Sequence, residues 1–402
     1  MGSGNPDSSW AASRMTSILH PILHSIAAEF VHRFGVEPQV FRAPGRVNLI
    51  GEHTDYNDGL VMPVAIQCDT WVAASARSDR KILVIARQFQ EEYEFALDEH
   101  SSPQKRWTDY VQGVAVILER AGFHLTGANL LITSSVPIGA GLSSSAALEV
   151  ATAFTLMQLA EIKMDLVRLA QLCQRAENEF VGARCGIMDQ FVSCLAEQGH
   201  CLMIDCRSLD YKKLLLPETC ELVICNTMVR HQLASGEYNI RRQQCEQGLA
   251  ILQQSVPGAS SLRDITPEQL EHYAHTLPEQ LYRRCRHVVS EIQRVRDAAV
   301  ALQERALPRF GELMRQSHSS LRDDYEVSCP ELDLMVEIAS KQAGVYGARM
   351  TGGGFGGCTI NLVKREAVPQ ITRQIAAEYR HKMNVHPEIY VSTAANGVGR
   401  AV

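Results

Sequence analysis

Apolar residues along this chain recur with helical spacing in some segments and in short strand-like runs in others. Residues 16–34 carry an apolar side chain at every fourth position from Ile18 to Phe30, which predicts a helix. Residues 60–97 alternate short apolar and polar runs and predict several strands. Three further segments have helical spacing, namely residues 107–121, 143–160 and 165–181. The first half of the chain is therefore expected to be mixed α/β.

The second half of the chain is predicted to be helical at first and to contain strands near its end. A Ser-, Pro- and Gly-containing loop at residues 253–267 separates a helix after residue 237 from long arginine-rich helices at 278–320, each expected to have one solvated face. A glycine-rich turn follows at residues 352–357. The pattern then predicts a strand, a helix and a strand, at Cys358–Val363, Pro369–Tyr379 and Ile389–Ser392.

The length of 402 residues indicates more than one domain, since domains average roughly 150 residues. We expect a polar, disordered segment at residues 1–15, an N-terminal domain at 16–205 and a C-terminal domain at 206–402. The net charge is −6 and basic residues are scattered among acidic ones, which argues against nucleic acid or an anionic membrane as a partner.

Two further features indicate the compartment. No apolar run approaches the roughly 20 residues that span a bilayer, and the chain begins without a secretory pattern. The 12 cysteines lie mostly within apolar patterns and form no C-x-x-C pair, which indicates reduced thiols. We therefore expect a cytoplasmic, monomeric protein without a membrane partner.

The segment from Pro137 to Ala147 has the pattern of a phosphate-binding turn. An apolar run at residues 130–132 predicts a strand, Gly139 and Gly141 let the backbone approach a ligand, and residues 143–145, all serine, open a predicted helix. The free N–H groups and positive dipole end of such a helix attract anions. The turn lacks the Gly-Lys-Ser/Thr ending of a Walker loop, and an ordinary turn with a capping serine fits the same pattern.

Glu177 lies on the apolar stripe of the predicted helix at 165–181. The stripe consists of Leu166, Leu169, Cys173, Ala176 and Phe180. A carboxylate on this face points inward and needs a cation, either an arginine in a buried salt bridge or Mg²⁺. Glu179, four residues after Arg175, is expected to form an exposed ion pair instead.

Two polar groups of residues outside this helix also carry candidate chemistry. Asp189 follows a glycine turn among apolar neighbours and is either a general base or a helix cap. Arg46 and the cluster at residues 52–57, Glu-His-Thr-Asp-Tyr-Asn, fall in a predicted loop bounded by glycines. Such a density of hydrogen-bonding groups suits a polyol ligand, although a solvated loop is the alternative.

Three motifs, taken together, resemble those of the GHMP small-molecule kinases, and from about residue 16 to 400 the chain looks like the galactokinase branch of that family. The matching motifs are residues 45–57, 137–146 and 350–358. The first is the one specific to galactokinases, whereas the other two mark the superfamily. The resemblance implies an α/β (α+β) fold of two domains, an N-terminal ribosomal-protein-S5-like domain and a C-terminal ferredoxin-like domain.

The resemblance also implies a reaction, in which the γ-phosphoryl group of ATP is transferred to O1 of α-D-galactose with Mg²⁺ as cofactor. ATP would contact Trp107 near the adenine and Gly139, Ala140, Gly141, Leu142, Ser143, Ser144 and Ser145 at the phosphates. The metal would be held by Ser145 and Glu177. Galactose would be held by Arg46, Glu52, His53, Asp55, Gly186, Asp189 and Tyr238. Asp189 would take the proton of the anomeric hydroxyl while Arg46 keeps it ionised and neutralises charge on the phosphoryl group.

Two alternatives remain open at this point. One is another sugar 1-kinase, acting on N-acetylgalactosamine or an arabinose-like sugar. The other is a non-catalytic sensor that binds galactose and ATP. Sensors resemble kinases with a damaged ATP loop, whereas the serines at 143–145 and Asp189 are intact here.

Overall fold

A six-stranded sheet forms the centre of the first half of the chain in the computed structural model, which describes residues 9–99, 102–230 and 234–401. The strands follow the order β13-β1-β3-β6-β4-β5. Their bounds are Gln39–Asn48 (β1), Pro63–Arg77 (β3), Lys81–Ala86 (β4), Glu91–Ala96 (β5), Gly127–Ser134 (β6) and Gly399–Arg400 (β13). Strands β4 and β6 are parallel and the other neighbours are antiparallel.

Helices cover both faces of this sheet, which is why β3 is apolar along most of its length. One face packs against four helices, Thr108–Arg120 (α2), Ser144–Leu159 (α3), Leu166–Arg175 (α4) and Met188–Leu195 (α5). The other face packs against Ile26 and Phe30 of the first helix, Ser9–Phe34 (α1). That helix begins seven residues before the predicted start, so residues 9–15 of the segment expected to be disordered are helical. Residues 1–8 lie outside the described residues.

The second half contains a four-stranded antiparallel sheet in the order β10-β11-β9-β12. Its strands are Cys220–Arg230 (β9), Val345–Thr351 (β10), Gly356–Lys364 (β11) and Glu388–Ser392 (β12). Helices Pro330–Ser340 (α10) and Val368–Met383 (α11) pack on it through an apolar cluster. This strand order is the ferredoxin-like arrangement that was expected for the C-terminal domain.

The α-helices that lie between β9 and α10 join the two halves through a shared core. They are Ala234–Leu252 (α6), Pro267–His272 (α7), Glu279–Gln303 (α8) and Leu307–Asp323 (α9). The largest apolar cluster takes residues from both halves, for example Ile50 and Val295. A small sheet of Leu60–Val61 (β2), His200–Asp205 (β7) and Tyr211–Leu215 (β8) lies beside it. The boundary predicted between residues 205 and 206 falls between the paired strands β7 and β8, and β13 pairs with β1 in the first sheet. We propose the two-domain division with the boundary placed after β8 and with β13 assigned to the N-terminal domain.

The predicted helix at 165–181 changes its geometry part-way. After α4, residues Ala176–Val181 form a π-helical turn in which the N–H of Gly182 donates to the carbonyl of Glu177, five residues earlier, at 2.9 Å. Turns of this kind are frequent at functional sites. Periodicity could not distinguish it from an α-helix.

The arginine-rich helices are solvated on one face, as expected, but one arginine points inward. Arg284 of α8 is fully buried and donates to the side chain of Gln244, the carbonyl of Asp324 and the carboxylate of Glu326. In the part of the chain that is described, no helix is long and apolar enough to cross a membrane.

The contact between α9 and β10 leaves no room for a side chain at Gly311. A Cβ atom there would lie 1.8 Å from the carbonyl oxygen of Tyr346. We predict that Gly311→Ala lowers the free energy of unfolding by at least about 2 kcal/mol, because strand backbone cannot move away cheaply. Urea denaturation of both proteins measures this. The control is Gly236→Ala in α6, where no atom lies within 4 Å and a stability equal to or above wild type is expected. Equal stability of the Gly311 variant would contradict the packing.

Candidate active site

A cavity of about 280 Å³ lies where the two halves of the chain meet. It brings together most of the residues singled out in the sequence. Those that line it are Arg46, Glu52, His53, Asp55, Gly139, Gly141, Ser143, Ser144, Ser145, Gly186, Asp189 and Tyr238. Glu52, His53 and Asp55 of the 52–57 cluster therefore face the same space as the glycine- and serine-rich turn.

Arg46 lies in strand β1, not in the loop that the sequence suggested. The strand approaches the turn closely because residue 45 is glycine: a Cβ there would lie 2.7 Å from the carbonyl oxygen of Leu142. The backbone N–H of Arg46 donates to that same carbonyl at 3.1 Å. Placement on a strand gives the guanidinium a rigid base.

Arg46 and Asp189 form a bidentate ion pair. The Nε and Nη2 atoms of Arg46 each donate to one oxygen of Asp189, both at 2.9 Å, and its Nη1 donates to the carbonyl of Gly141 at 2.7 Å. Asp189 lies in the first turn of α5, so it is not the cap of a helix. Its side chain is 28% exposed, against 7% for Arg46, so the carboxylate is the member of the pair that the cavity can reach.

Ser143 connects the glycine-rich turn to this ion pair. Its hydroxyl donates to Oδ2 of Asp189 at 2.6 Å. The residue has a left-handed backbone, with φ of 59°, which costs about 1 kcal/mol in a residue other than glycine. Ser144 and Ser145 then begin α3, whose N-terminal N–H groups face the cavity and favour an anion.

Three residues that were expected to bind ATP do not line the cavity. Ala140 and Leu142 are buried, with the carbonyl of Leu142 bound to Arg46. Trp107, just before α2, packs on Phe89 at a ring distance of 5.7 Å and donates its Nε1 hydrogen to Glu91 at 2.7 Å. The structure therefore places the indole outside the cavity wall.

Two acidic side chains that line the cavity, Asp55 and Glu52, favour a ligand that donates hydrogen bonds or carries positive charge. Burial raises the pKa of Asp55 to about 7, and the charges of Asp189 and Glu52 raise it as well. The carboxylate is pressed against the backbone at Gly186, where a Cβ would lie 1.9 Å from Oδ2 of Asp55. Glu52 is buried, and its Oε1 accepts from the N–H of Gly352 at 2.7 Å.

His53 and Tyr238 form the aromatic side of the cavity. Burial, together with a smaller contribution from His287, lowers the pKa of His53 to about 3, so the imidazole is neutral. Its ring lies 5.6 Å from that of Tyr238, and its Nδ1 is 2.8 Å from the hydroxyl of Tyr56. Burial also raises the pKa of Tyr238 well above its usual range, so its hydroxyl keeps its proton.

Glu177, on the π-helical turn, lies behind the serine-rich end of the turn. Its Oε2 accepts from the amide of Gln190 at 2.6 Å, and the hydroxyl of Ser145 is a further hydrogen-bonding neighbour. Burial raises the pKa of Glu177, and Asp189 adds to the effect. None of its contacts within the described residues is with an arginine or lysine, so these residues give no support to the interpretation as a buried salt bridge. Glu179 does pair with Arg175, as expected.

Sequence reasoning missed several residues of this region. Gly352, Gly353, Cys185 and Met188 also line the cavity. The two glycines belong to a glycine-rich turn whose proximity no local pattern could reveal. Tyr325, which contacts His53 from behind, gave no signal at all, because it lies between two helices in an unremarkable polar stretch.

Comparison with known proteins agrees with the geometry. Residues 28–76 match the galactokinase galactose-binding signature, residues 109–197 the N-terminal domain of GHMP kinases and residues 298–381 their C-terminal domain. The chain is 47% identical to a galactokinase of Roseiflexus sp. (strain RS-1), over 93% of this chain and 96% of that protein. It is also 47% identical to a galactokinase of Chloroflexus aggregans, over 94% and 97% of the two chains.

Solved structures give the same picture. The crystal structure of Lactococcus lactis galactokinase complexed with galactose superposes with a TM-score of 0.91 at 36% identity, covering 94% of this chain and 100% of that one. The mevalonate kinase of Methanococcus jannaschii, at 19% identity and a TM-score of 0.64 over 90% and 99% of the chains, shares the fold.

The raised pKa of Asp55 predicts a pH-dependent stability. Its value is about 7 in the folded protein and 3.8 ordinarily, so the folded state binds the extra proton between these values. Ionisation therefore destabilises the ligand-free protein as pH rises through this range. Asp55→Asn has no proton to lose. We expect it to be more stable than wild type by about 2 kcal/mol at pH 8, a discounted figure because water in the cavity relaxes the charge, and by much less at pH 5.

Urea denaturation at both pH values measures this difference. Asp79→Asn is the control, because the hydrogen bond from Arg77 lowers the pKa of exposed Asp79 to about 2. Removing that carboxylate should not stabilise the protein at either pH. A stability gain of Asp55→Asn that is the same at pH 5 and pH 8 would refute the raised pKa.

Proposed function

The chain belongs to the galactokinases of the GHMP kinase family, and on this premise we propose how its residues divide the work of phosphoryl transfer. The reaction moves the γ-phosphoryl group of ATP to O1 of galactose and gives galactose 1-phosphate and ADP. The observation that carries the proposal is the bidentate pair of Arg46 and Asp189. It lies at the junction between an anion-binding turn and a cavity rich in hydrogen-bonding groups, where a phosphoryl donor and a hydroxyl acceptor would meet.

Galactose is held, in this proposal, by the side chains that line the acidic and aromatic walls. Glu52 and Asp55 accept hydrogen bonds from sugar hydroxyls, and His53 and Tyr238 add neutral polar groups on an apolar face. The backbone at Gly186 completes the site on the side of Asp55. The raised pKa of Asp55 supports this role, because a sugar hydroxyl would add a donor to a carboxylate that receives a hydrogen bond from the backbone of Tyr56.

Asp189 accepts the proton of the O1 hydroxyl, and two neighbours hold it for that purpose. Arg46 grips both carboxylate oxygens, and Ser143 donates to one of them. Arg46 also lies close enough to the turn to offset the negative charge on the transferred group. Phosphoryl transfer has a loose transition state, so positioning and electrostatics contribute more here than full deprotonation of the sugar.

The phosphates of ATP are assigned to the turn from Gly139 to Ser145, with Ala140 and Leu142 taking part through their backbone. The free N–H groups at the start of α3 support this assignment. Trp107 is kept as the neighbour of the adenine. Its contact with Phe89, which is 44% exposed, supports that role, since together they offer an aromatic surface outside the cavity wall.

Magnesium is assigned to Ser145 and Glu177. A hydroxyl and a buried carboxylate within hydrogen-bonding reach of each other suit the oxygen preference of Mg²⁺, and no arginine or lysine among the described side chains pairs with the carboxylate. No cluster of three acidic, histidine or cysteine side chains suited to a metal occurs in the described part of the chain, so water and phosphate oxygens would supply the other ligands. When bound, Mg²⁺ neutralises charge on the phosphates.

We also propose that the protein acts as a monomer in the cytoplasm. All 12 cysteines are free thiols, as a reducing compartment requires.

Of the two alternative functions, the non-catalytic sensor is disfavoured because the pair of Arg46 and Asp189 is fully formed. Another sugar 1-kinase remains to be separated by substrate choice.

We predict that galactose is the preferred acceptor. An ADP-release assay should compare galactose with N-acetylgalactosamine, L-arabinose and mevalonate at fixed Mg·ATP. We expect kcat/KM for galactose to exceed that for each of the other substrates at least tenfold, because Glu52 and Asp55 are placed to accept hydrogen bonds from its hydroxyls.

In the same assay Asp189→Asn should lose about 1,000-fold in kcat while still binding ATP, measured by calorimetry. A higher rate with another sugar, or a near-normal kcat in the variant, would overturn the assignment.

We further predict that the concentration of Mg²⁺ needed for activity depends on two oxygen ligands, the hydroxyl of Ser145 and the carboxylate of Glu177. Ser145→Ala and Glu177→Ala should each raise the Mg²⁺ concentration for half-maximal activity by at least about tenfold, because each removes one ligand. Calorimetric titration of Mg²⁺ into the complex with ATP provides a second readout. Glu179→Ala is the matched control, since Glu179 lies two residues from Glu177 but its exposed carboxylate pairs with Arg175. Unchanged metal titrations in both ligand variants would rule out this placement.

A further inference from the structure

A chain of three hydrogen-bonding side chains leads from His53 into the protein: the hydroxyls of Tyr56 and Tyr325 and the thiol of Cys245. The Nδ1 atom of His53 is 2.8 Å from the hydroxyl of Tyr56, and that hydroxyl is 2.8 Å from the hydroxyl of Tyr325. The hydroxyl of Tyr325 is in turn 3.2 Å from the Sγ atom of Cys245. The chain thus runs from the sugar side of the cavity into the core formed with α6.

The hydrogens of this chain can run in only one of two directions, because each tyrosine hydroxyl has one hydrogen to donate. Burial raises the pKa of the Cys245 thiol to about 11, so the sulfur carries a hydrogen. A thiol is a weak donor as well as a weak acceptor, so the direction is set at the other end of the chain, where an imidazole nitrogen is a good acceptor for a phenol. The favoured direction is therefore from Cys245 to Tyr325, from Tyr325 to Tyr56, and from Tyr56 to Nδ1 of His53.

This direction leaves the hydrogen of His53 on Nε2. That atom is buried at the cavity and makes no hydrogen bond of normal geometry with any described residue, although the backbone of Gly353 is close. The backbone of His53 is left-handed, with φ of 61°, a strained conformation for a residue other than glycine. The ring is therefore held in a defined orientation by its surroundings.

Tyr325 is the residue best placed to hold that orientation. It is fully buried, and its ring lies 4.8 Å from that of His53 and 4.5 Å from that of His287. Arg241 of α6 donates to its carbonyl at 2.8 Å. Two residues later, the carbonyl of Val327 accepts from the N–H of Phe355 in the glycine-rich turn at 2.7 Å. The segment with Tyr325 thus connects the sugar side, α6 and that turn.

We propose that Tyr325 is a positioning residue for the sugar: through Tyr56 it fixes His53 as the neutral tautomer whose Nε2 hydrogen points at a hydroxyl of the substrate. The contact between His53 and the sugar rests on the proposed function. The tautomer itself does not, because it is a property of the free protein.

The tautomer is tested directly by the ¹⁵N chemical shifts of His53 in the ligand-free protein. We expect the pattern of an Nε2–H imidazole in wild type, and its partial or full replacement in Tyr325→Phe, where Tyr56 loses its donor. An Nδ1–H pattern in wild type, or an identical pattern in the variant, would overturn the proposal. This result is independent of whether galactose is the substrate.

Kinetics test the consequence for the substrate. Tyr325→Phe keeps the ring and removes only the hydroxyl, so we expect KM for galactose to rise about tenfold while kcat and KM for ATP stay within about twofold. Tyr379→Phe is the matched control, since that buried hydroxyl donates to the carbonyl of Thr227 and neither residue lines the cavity, and it should change none of these. An unchanged KM for galactose in Tyr325→Phe would refute the positioning role. Failure of wild type to phosphorylate galactose would refute the proposed function instead.

The end of the chain offers a rescue experiment. Cys245→Ser keeps a hydrogen donor for Tyr325, and Cys245→Ala removes it. We therefore expect the serine variant to keep the wild-type KM for galactose and the Nε2–H pattern, and the alanine variant to shift both toward those of Tyr325→Phe. The opposite ranking of these two variants would contradict the proposed direction of the chain.

Discussion

The ion pair between Arg46 and Asp189 is the interaction on which the rest of the site depends. It joins strand β1 to helix α5 across 143 residues of sequence. The same guanidinium holds the carbonyl of Gly141, and the same carboxylate holds the hydroxyl of Ser143. Strand, turn and helix are therefore locked in one arrangement by one charged pair. Because Arg46 is buried and Asp189 is only partly exposed, loss of either would leave a poorly compensated charge, so the pair fixes geometry more than it adds stability.

Acidic groups around this pair favour the binding of ligands in the cavity. Burial and neighbouring carboxylates raise the pKa of Asp55 and of Glu177, whereas Glu52 is paired with buried Arg349 at 3.4 Å. Such groups are costly in the ligand-free protein. Sugar hydroxyls and a divalent cation would each supply what these carboxylates lack, so part of the binding free energy comes from relieving an unfavourable state in the free protein.

Hydrogen bonds also connect the residues of the cavity to groups in the protein core. Glu52 is joined to the glycine-rich turn by the N–H of Gly352, and His53 is joined to Tyr325 through Tyr56. Both connections link the first half of the chain to the second. The halves share a large apolar core as well, so the cavity walls are held by packing on both sides. A rigid site of this kind suits a reaction that relies on positioning.

The sequence by itself determined the elements and the local clusters, because these depend on spacing along the chain. Periodicity located α2, α3 and the strands between residues 60 and 97, and the motif at residues 52–57 pointed to a polyol. Tertiary structure alone decided which distant groups meet. It placed Arg46 on a strand, turned Trp107 away from the cavity wall, formed the π-helical turn under Glu177 and brought Tyr325 to Tyr56 across 269 residues. The physical reason is that such contacts arise from the packing of whole elements, whose mutual orientation no local pattern of residues encodes.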